Sequence, residues 1–347
     1  MKRPTPRGVL GEWVELVLAG HPHAPAAPAP CDHNDEQLAL WVLYELHYRG
    51  FEDTDPDADW WPGLVAVRRD LEARLERRWR TRVARADLPG FPSFPGHSGH
   101  SEHSGHSGPV AERDLAPDTD VAEAFFALCD FDAGESVARF VQREATRGQV
   151  EQILRQRSIY HVKEQDAAMW ALPRLDDDTK AHLMCIAADE YGNGRPEALH
   201  ARMWAQGMAA CGLDDAYGAY IDEALAEVVE QNNLASMFGL NRRLIPAALG
   251  HLAAFEVTSA VPSRRLARGL ERLGMPEAIL AYFHEHMVAD SVHEQVAVRR
   301  MLGSYLASHP GDRRDVFWGA AVCLLAEGAA ATALLGHVRD ATLRQST

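Results

Sequence analysis

Two imidazoles and a carboxylate on successive turns of one helix make a ready set of metal ligands, and the stretch YFHEHMVADSVHEQ holds such a set. His286, Asp290 and His293 stand at i, i+4 and i+7, so a helix of 3.6 residues per turn presents all three on one face. Mixed nitrogen and oxygen donors of this kind suit iron, manganese or zinc. The same spacing also arises on a helix whose polar residues simply face water, so the triad needs partners elsewhere in the chain.

IAADEYGNGRPEALH offers some. Asp189 and Glu190 close an apolar helix, GNG breaks it, and Pro196 suits the first turn of the next. His200 follows Glu190 by ten residues, about 15 Å of rise in an unbroken helix, too far for both to reach one metal. The glycine-rich break, or a pair of metals, would relieve this. Glu197 and His200 also form an ExxH pair, the i, i+3 arrangement of di-iron carboxylate helices, which makes Glu197 a rival to Glu190. Glu164 in RSIYHVKEQDAAMWALPRL and Glu256 in IPAALGHLAAFEVTSAVP stand in largely apolar surroundings. A bare carboxylate there is costly to bury unless paired or metal-bound. For either glutamate alone, an ion pair competes with a ligand role.

The elements that must position these groups are helical. Asn34 or Asp35 is suited to cap one helix that Gly50 stops, and a second runs from Trp60 to Arg85 with Leu64, Val67, Leu71 and Leu75 on one stripe. The first ~30 residues, with HPHAPAAPAP, hold no regular element on this reading. From 119 onward the periodicity predicts helices at 119–130, 134–144, 147–171, 175–190, 196–211, 213–230, 235–259, 262–273, 276–307 and 313–343. Alternating Val/Ile/Thr runs of the kind that strands need are missing. The expected architecture is an all-α bundle with its active residues projecting inward.

Composition narrows the function. The 347 residues carry a net charge of -15, which leaves no excess of cations for phosphates and argues against nucleic acid. The arginine-rich stretch 68–85 is interrupted by Asp70, Glu72 and Glu76 and reads as a solvated helix face. No uncharged apolar run reaches membrane-spanning length, and Glu12 and Glu15 spoil a signal-peptide core. Five scattered cysteines without a CxxC pair speak against a disulfide framework or structural zinc. A cytoplasmic protein that binds neither membrane nor nucleic acid is the expectation.

Taken in order, RSIYHVKEQD, ADEYGNGRPEALH, GHLAAFEVTSAVPSRR and YFHEHMVADSVHEQ resemble the haem-oxygenase-like di-iron oxidases, a family of iron-containing redox enzymes. The resemblance covers roughly 119–340. It implies a haem-oxygenase-like seven-helix bundle over 119–347, with an N-terminal helical extension over 1–86; between them the composition of 87–118 reads as a disordered His/Gly/Ser/Pro-rich loop. The resemblance further implies two Fe(II) ions held by Glu164 on a first ligand helix, Glu190 and His200 on a second, and Glu256 on a third. His286, Asp290 and His293 come from a fourth. In this family the extra carboxylate, Glu256, marks N-oxygenases. The resemblance therefore implies a monooxygenase that takes O2 and electrons from an external donor and oxygenates an amine, to a hydroxylamine or nitro product, in specialised-metabolite biosynthesis. A desaturase or C–C-cleaving oxidase on the same scaffold is the alternative, and a non-catalytic helical protein that binds metal or a small molecule is another. Several such bundles form homodimers, and nothing in the sequence decides the oligomeric state.

The densest histidine cluster lies elsewhere, in GHSGHSEHSGHSG at 96–108, where His97, His100, His103 and His106 recur every third position. Its glycines and serines provide no rigid frame, so a shared metal would have to offset the ordering entropy of the whole segment. Deletion of 96–108 is expected to leave the iron content, measured by elemental analysis, and the oxygen consumption unchanged.

Overall fold

A computed structural model of the chain describes residues 1–21, 26–86, 88, 120–131 and 134–345. The histidine repeat lies outside the described residues, as does nearly all of the 87–118 loop. Among the described residues there is helix and no strand. The helices are α1 (Val9–Leu18), α2 (His33–Glu45), α3 (Pro62–Arg85), α4 (Val121–Cys129), α5 (Val137–Arg143), α6 (Arg147–His161) and α7 (Asp166–Met169). They continue with α8 (Asp177–Glu190), α9 (His200–Ala210), α10 (Ala226–Leu240), α11 (Ile245–Arg272), α12 (Glu277–Gln295), α13 (Gly303–Ser308) and α14 (Arg313–Gln345).

The N-terminal part departs from the sequence reading in two places. Val9–Leu18 is helical although it lies in the proline-rich start of the chain, because its unpaired N-terminal donors find a partner. The buried Asp35 carboxylate accepts from the backbone N–H of Leu10 (3.1 Å) and Gly11 (2.8 Å). The cap of α2 is Asp32, which accepts from the Asp35 N–H at 2.9 Å, rather than Asn34 or Asp35. These helices pack onto the rest of the molecule, α2 against α10 and α3 against α14.

Helices α5, α6, α8–α12 and α14 pack together as a bundle. Its central pair is α11 and α14, and α12 and α10 also pack on α11. The central pair approaches closely because glycine stands where the backbones meet. A Cβ on Gly250 would lie 1.8 Å from the Val316 carbonyl oxygen, and one on Gly319 would lie 2.0 Å from that of Ala247. Both helices fall in segments, Arg242–Arg272 and Pro310–Ala341, that are long and apolar enough to cross a membrane. In each, 61% of the most apolar window is buried in the bundle, as befits core helices.

Several helix boundaries differ from those the periodicity predicts; α10 runs through the expected gap at 231–234, and the expected 235–259 helix breaks at 241–244. The 147–171 helix ends at His161, and Gln165 adopts a left-handed φ of 70° before α7 begins. The 213–230 helix is absent: positive φ at Gly212 and Gly218 sends 212–225 through turns, and α10 starts at Ala226. Conversely, the predicted break near 260 does not occur, since Pro262 sits inside α11. Proline there removes one N–H from the ladder. In the turn before it, the Thr258 hydroxyl donates to the Ala254 carbonyl (2.7 Å) and the Ser259 hydroxyl to that of Phe255. After Gln295 the chain widens into a π-helical segment, Val296–Leu302, against which α8 packs.

Replacing Gly250 by alanine is expected to force α11 and α14 apart and to cost about 1–3 kcal/mol, as overpacking does. A fall in the midpoint of chemical denaturation, with little change in slope, is the measurement that checks it.

Candidate metal centre

Each potential ligand is delivered by a local feature of the chain. Glu190 is the last residue of α8 and His200 the first of α9. Between them Gly192, Asn193 and Gly194 all take positive φ, at 70°, 52° and 78°. The chain turns back so sharply that His200 Nδ1 lies 2.8 Å from Glu190 Oε2. A Cβ on Gly192 would sit 2.6 Å from the Ala198 carbonyl carbon, so the turn requires glycine there. The glycine break thus removes the separation that one continuous helix would impose. Glu197, in the short turn before α9, is exposed and takes no part. Glu164 lies past the end of α6, in the turn before Gln165, rather than on a helix. Glu256 projects from α11, and His286, Asp290 and His293 from one face of α12; all four are buried.

The seven side chains converge. Glu164, Glu190, His200 and His286 form one group, and Glu190, Glu256, Asp290 and His293 a second, each with its potential ligand atoms within 4.8 Å of one another. Glu190 belongs to both. His286 Nε2 lies 3.6 Å from Glu164 Oε1. His293 Nδ1 lies 3.3 Å from Glu256 Oε2 and 3.5 Å from Glu190 Oε1.

Hydrogen bonding singles out the atoms that face the centre. His286 Nε2, His293 Nδ1 and Asp290 Oδ2 are buried without a hydrogen-bond partner among the described residues. The opposite nitrogen of each imidazole is engaged: His286 Nδ1 donates to the Tyr282 carbonyl (2.9 Å) and His293 Nε2 to Asp189 Oδ2 (3.0 Å). Metal-binding histidines are held in this way, with tautomer and ring orientation fixed from behind. The Tyr282 hydroxyl lies 3.0 and 2.9 Å from the two oxygens of Glu164 and 2.7 Å from His161 Nδ1. His161 in turn stacks on Trp204, with ring centroids 4.1 Å apart. Nitrogen and carboxylate donors in two adjoining groups fit a pair of iron ions.

Sequence reasoning missed the supporting residues Tyr282, His161, Trp204 and Asp189. The signal was present for two of them. Tyr282 lies four residues before His286, a spacing that brings side chains to one side of a helix, and His161 lies three before Glu164, close enough in sequence to meet it across the turn.

Burial acts against every charge here, and neighbours decide the outcome. Burial raises Glu164, yet His286 and His161 outweigh it and hold the carboxyl well below its usual range. Glu256 is raised by burial, and the nearby Glu190 adds to this against the pull of His293. Asp290 is pushed up to about 8, by burial and then by Glu256. Burial lowers the imidazoles, but Glu164 lifts His286 to about 10, and Glu256 with Glu190 lifts His293 to about 9. In the iron-free protein, protons fill the role of cations.

A model of the family described as iron-containing redox enzymes matches residues 151–328, just over half of the chain and a span that includes all seven side chains. The chain belongs to that family. No curated protein matches it. Membership makes iron the metal to which the two groups are to be referred, and an oxidoreductase the class of protein.

A pH dependence follows. His286, His293 and Asp290 all bind protons more tightly when folded than in an unfolded chain, so the stability they confer declines as pH rises. For the histidines this runs from the ordinary 6.5 up through about 9 and 10. The Tm of iron-free protein is expected to fall across that range. Fe(II) displaces the same protons, so its binding should tighten with rising pH, with proton release measurable by calorimetry in buffers of different ionisation enthalpy.

Proposed function

We propose that the protein is a di-iron N-oxygenase, which uses O2 and external electrons to oxygenate the nitrogen of a small amine. The observation that carries the reading is Glu256. It supplies a fourth carboxylate to the cluster, buried on α11 with Oε2 3.3 Å from His293 Nδ1, and the resemblance associates that extra carboxylate with N-oxygenation.

The residues divide the work. Glu164, His200 and His286 would hold one iron and Glu256, Asp290 and His293 the other, with Glu190 within reach of both groups. Two ferrous ions, when bound, supply electrons and open positions at which dioxygen is activated. Four carboxylates would balance the charge of two such ions, which would leave the buried centre with no net charge. Tyr282 and His161 hold Glu164 in place, and Asp189 orients His293, which keeps the centre from rearranging freely. Burial of all seven side chains excludes bulk water, and an amine that enters brings a lone pair able to accept oxygen. The protein's part is to hold, orient and shield.

The test is ¹⁸O2 supplied to Fe(II)-loaded protein with a chemical reductant and a panel of amines. One ¹⁸O or more on the product nitrogen is expected by mass spectrometry. Glu256→Gln should lower the yield by about 10–100-fold, as loss of a metal-site carboxylate or its support does. Oxygen uptake triggered by aliphatic acids, with no label on nitrogen from any amine, would move the assignment to a desaturase or C–C-cleaving oxidase.

A further inference from the structure

A cavity of about 40 Å³ is bounded by α7, α10, α11, the turn after α6 and Tyr48 from the N-terminal part, and its wall residues Gln165 and Phe255 are the chain neighbours of Glu164 and Glu256. One water needs about 10–15 Å³, so this space suits a group of about three or four non-hydrogen atoms. Tyr160, Phe238 and Phe255 make it largely apolar, and Gln165 and His251 are the polar groups that stand unpartnered in it. Gln165 is only 5% exposed, yet its Nε2 has no hydrogen-bond partner among the described residues, and neither has His251 Nε2. Buried polar atoms are ordinarily paired.

The chain conformation ties this cavity to the centre. Gln165 holds a left-handed φ of 70°, uncommon for a residue other than glycine and often met where a site constrains the backbone. That turn sends two consecutive side chains to different places, Glu164 to the cluster and Gln165 to the cavity. Phe255, on the opposite wall, precedes Glu256.

Charge decides what the cavity accepts. Lys163 also lines it, but its Nζ lies 2.9 Å from Glu45 Oε2 and 4.2 Å from the centre of the Tyr48 ring. Burial pushes His251 down to about 4, so this ring is neutral at physiological pH. No unbalanced charge therefore faces the space, and an ion entering it would lose its hydration without compensation. A carboxamide fits. Its carbonyl oxygen accepts from Gln165 Nε2 and its N–H donates to His251 Nε2 in the tautomer protonated on Nδ1, which satisfies the two unpartnered atoms.

We propose that this cavity is a recognition subsite that takes an uncharged, amide-like group of the substrate on Gln165 and His251, with Tyr48 of the N-terminal part closing it. Its role in substrate recognition rests on the oxygenase reading; its binding chemistry does not. The test uses three molecules of nearly one shape, acetamide, acetate and acetamidinium, added to the full chain at matched ionic strength, with and without Fe(II) under argon. Acetamide is expected to raise Tm along a saturable curve, whereas the two ions leave it unchanged. Ala235→Leu, which fills the cavity from α10, should abolish the acetamide shift while preserving Fe(II) binding. Gln165→Asn, tolerated in the left-handed conformation, should weaken the shift. Equal responses to the ions, no response to acetamide, or an undiminished response in Ala235→Leu would each overturn the proposal. Because none of these readings needs dioxygen or turnover, failure here and failure of N-oxygenation are separate results.

Discussion

Four carboxylates and three imidazoles share one buried volume in this protein, and that concentration of charge is the constraint on which the rest depends. Carboxylates a few ångströms apart in a bundle core repel one another and lose hydration. Protons on His286, His293 and Asp290 relieve this in the iron-free chain, as their raised pKa values record. Two divalent cations would relieve it more completely, since their charge would equal that of the four carboxylates. The buried atoms left without hydrogen bonds, His286 Nε2, His293 Nδ1 and Asp290 Oδ2, are those a cation would engage. The cluster is costly as a piece of structure and reasonable as a metal centre.

Such a cluster persists only if its members cannot move apart, and the scaffold supplies that stiffness from several directions. The glycine contacts between α11 and α14 fix the helix that carries Glu256. Positive φ at Gly192, Asn193 and Gly194 sets the short path from Glu190 to His200. Behind the cluster, Tyr282, His161 and Asp189 grip individual side chains through hydrogen bonds. Beyond α12 the π-helical segment changes the winding of the chain just after His293, where α8 packs against it.

The N-terminal helices lie outside the matched span, yet they reach the interior. Glu45 pairs with Lys163, the neighbour of Glu164, and Tyr48 shares a hydrogen bond of 2.9 Å with Ser236 on α10. The part of the chain outside the family match thus contributes to the wall nearest the first ligand turn.

The sequence by itself determined the helical class and the chemistry of the centre. Helical periodicity and the ligand types of α12 are local properties, and i, i+4, i+7 spacing converts directly into one face. It could not choose between Glu190 and Glu197, because that choice depends on how three residues of positive φ redirect the chain. Nor could it tell that Pro262 stays inside α11 while 212–225 leaves the helix, since packing of the long central helix and the glycine turns at 212 and 218 override local propensity there. The supports Tyr282, His161 and Asp189 were legible as residue types but not as partners. Hydrogen bonds between them and the cluster join positions up to 118 residues apart, and only the packing of helices brings such positions within reach. Residue type fixed which atoms can bind a metal; the tertiary structure decided which of them meet, because convergence in space is a property of the bundle and not of any one segment.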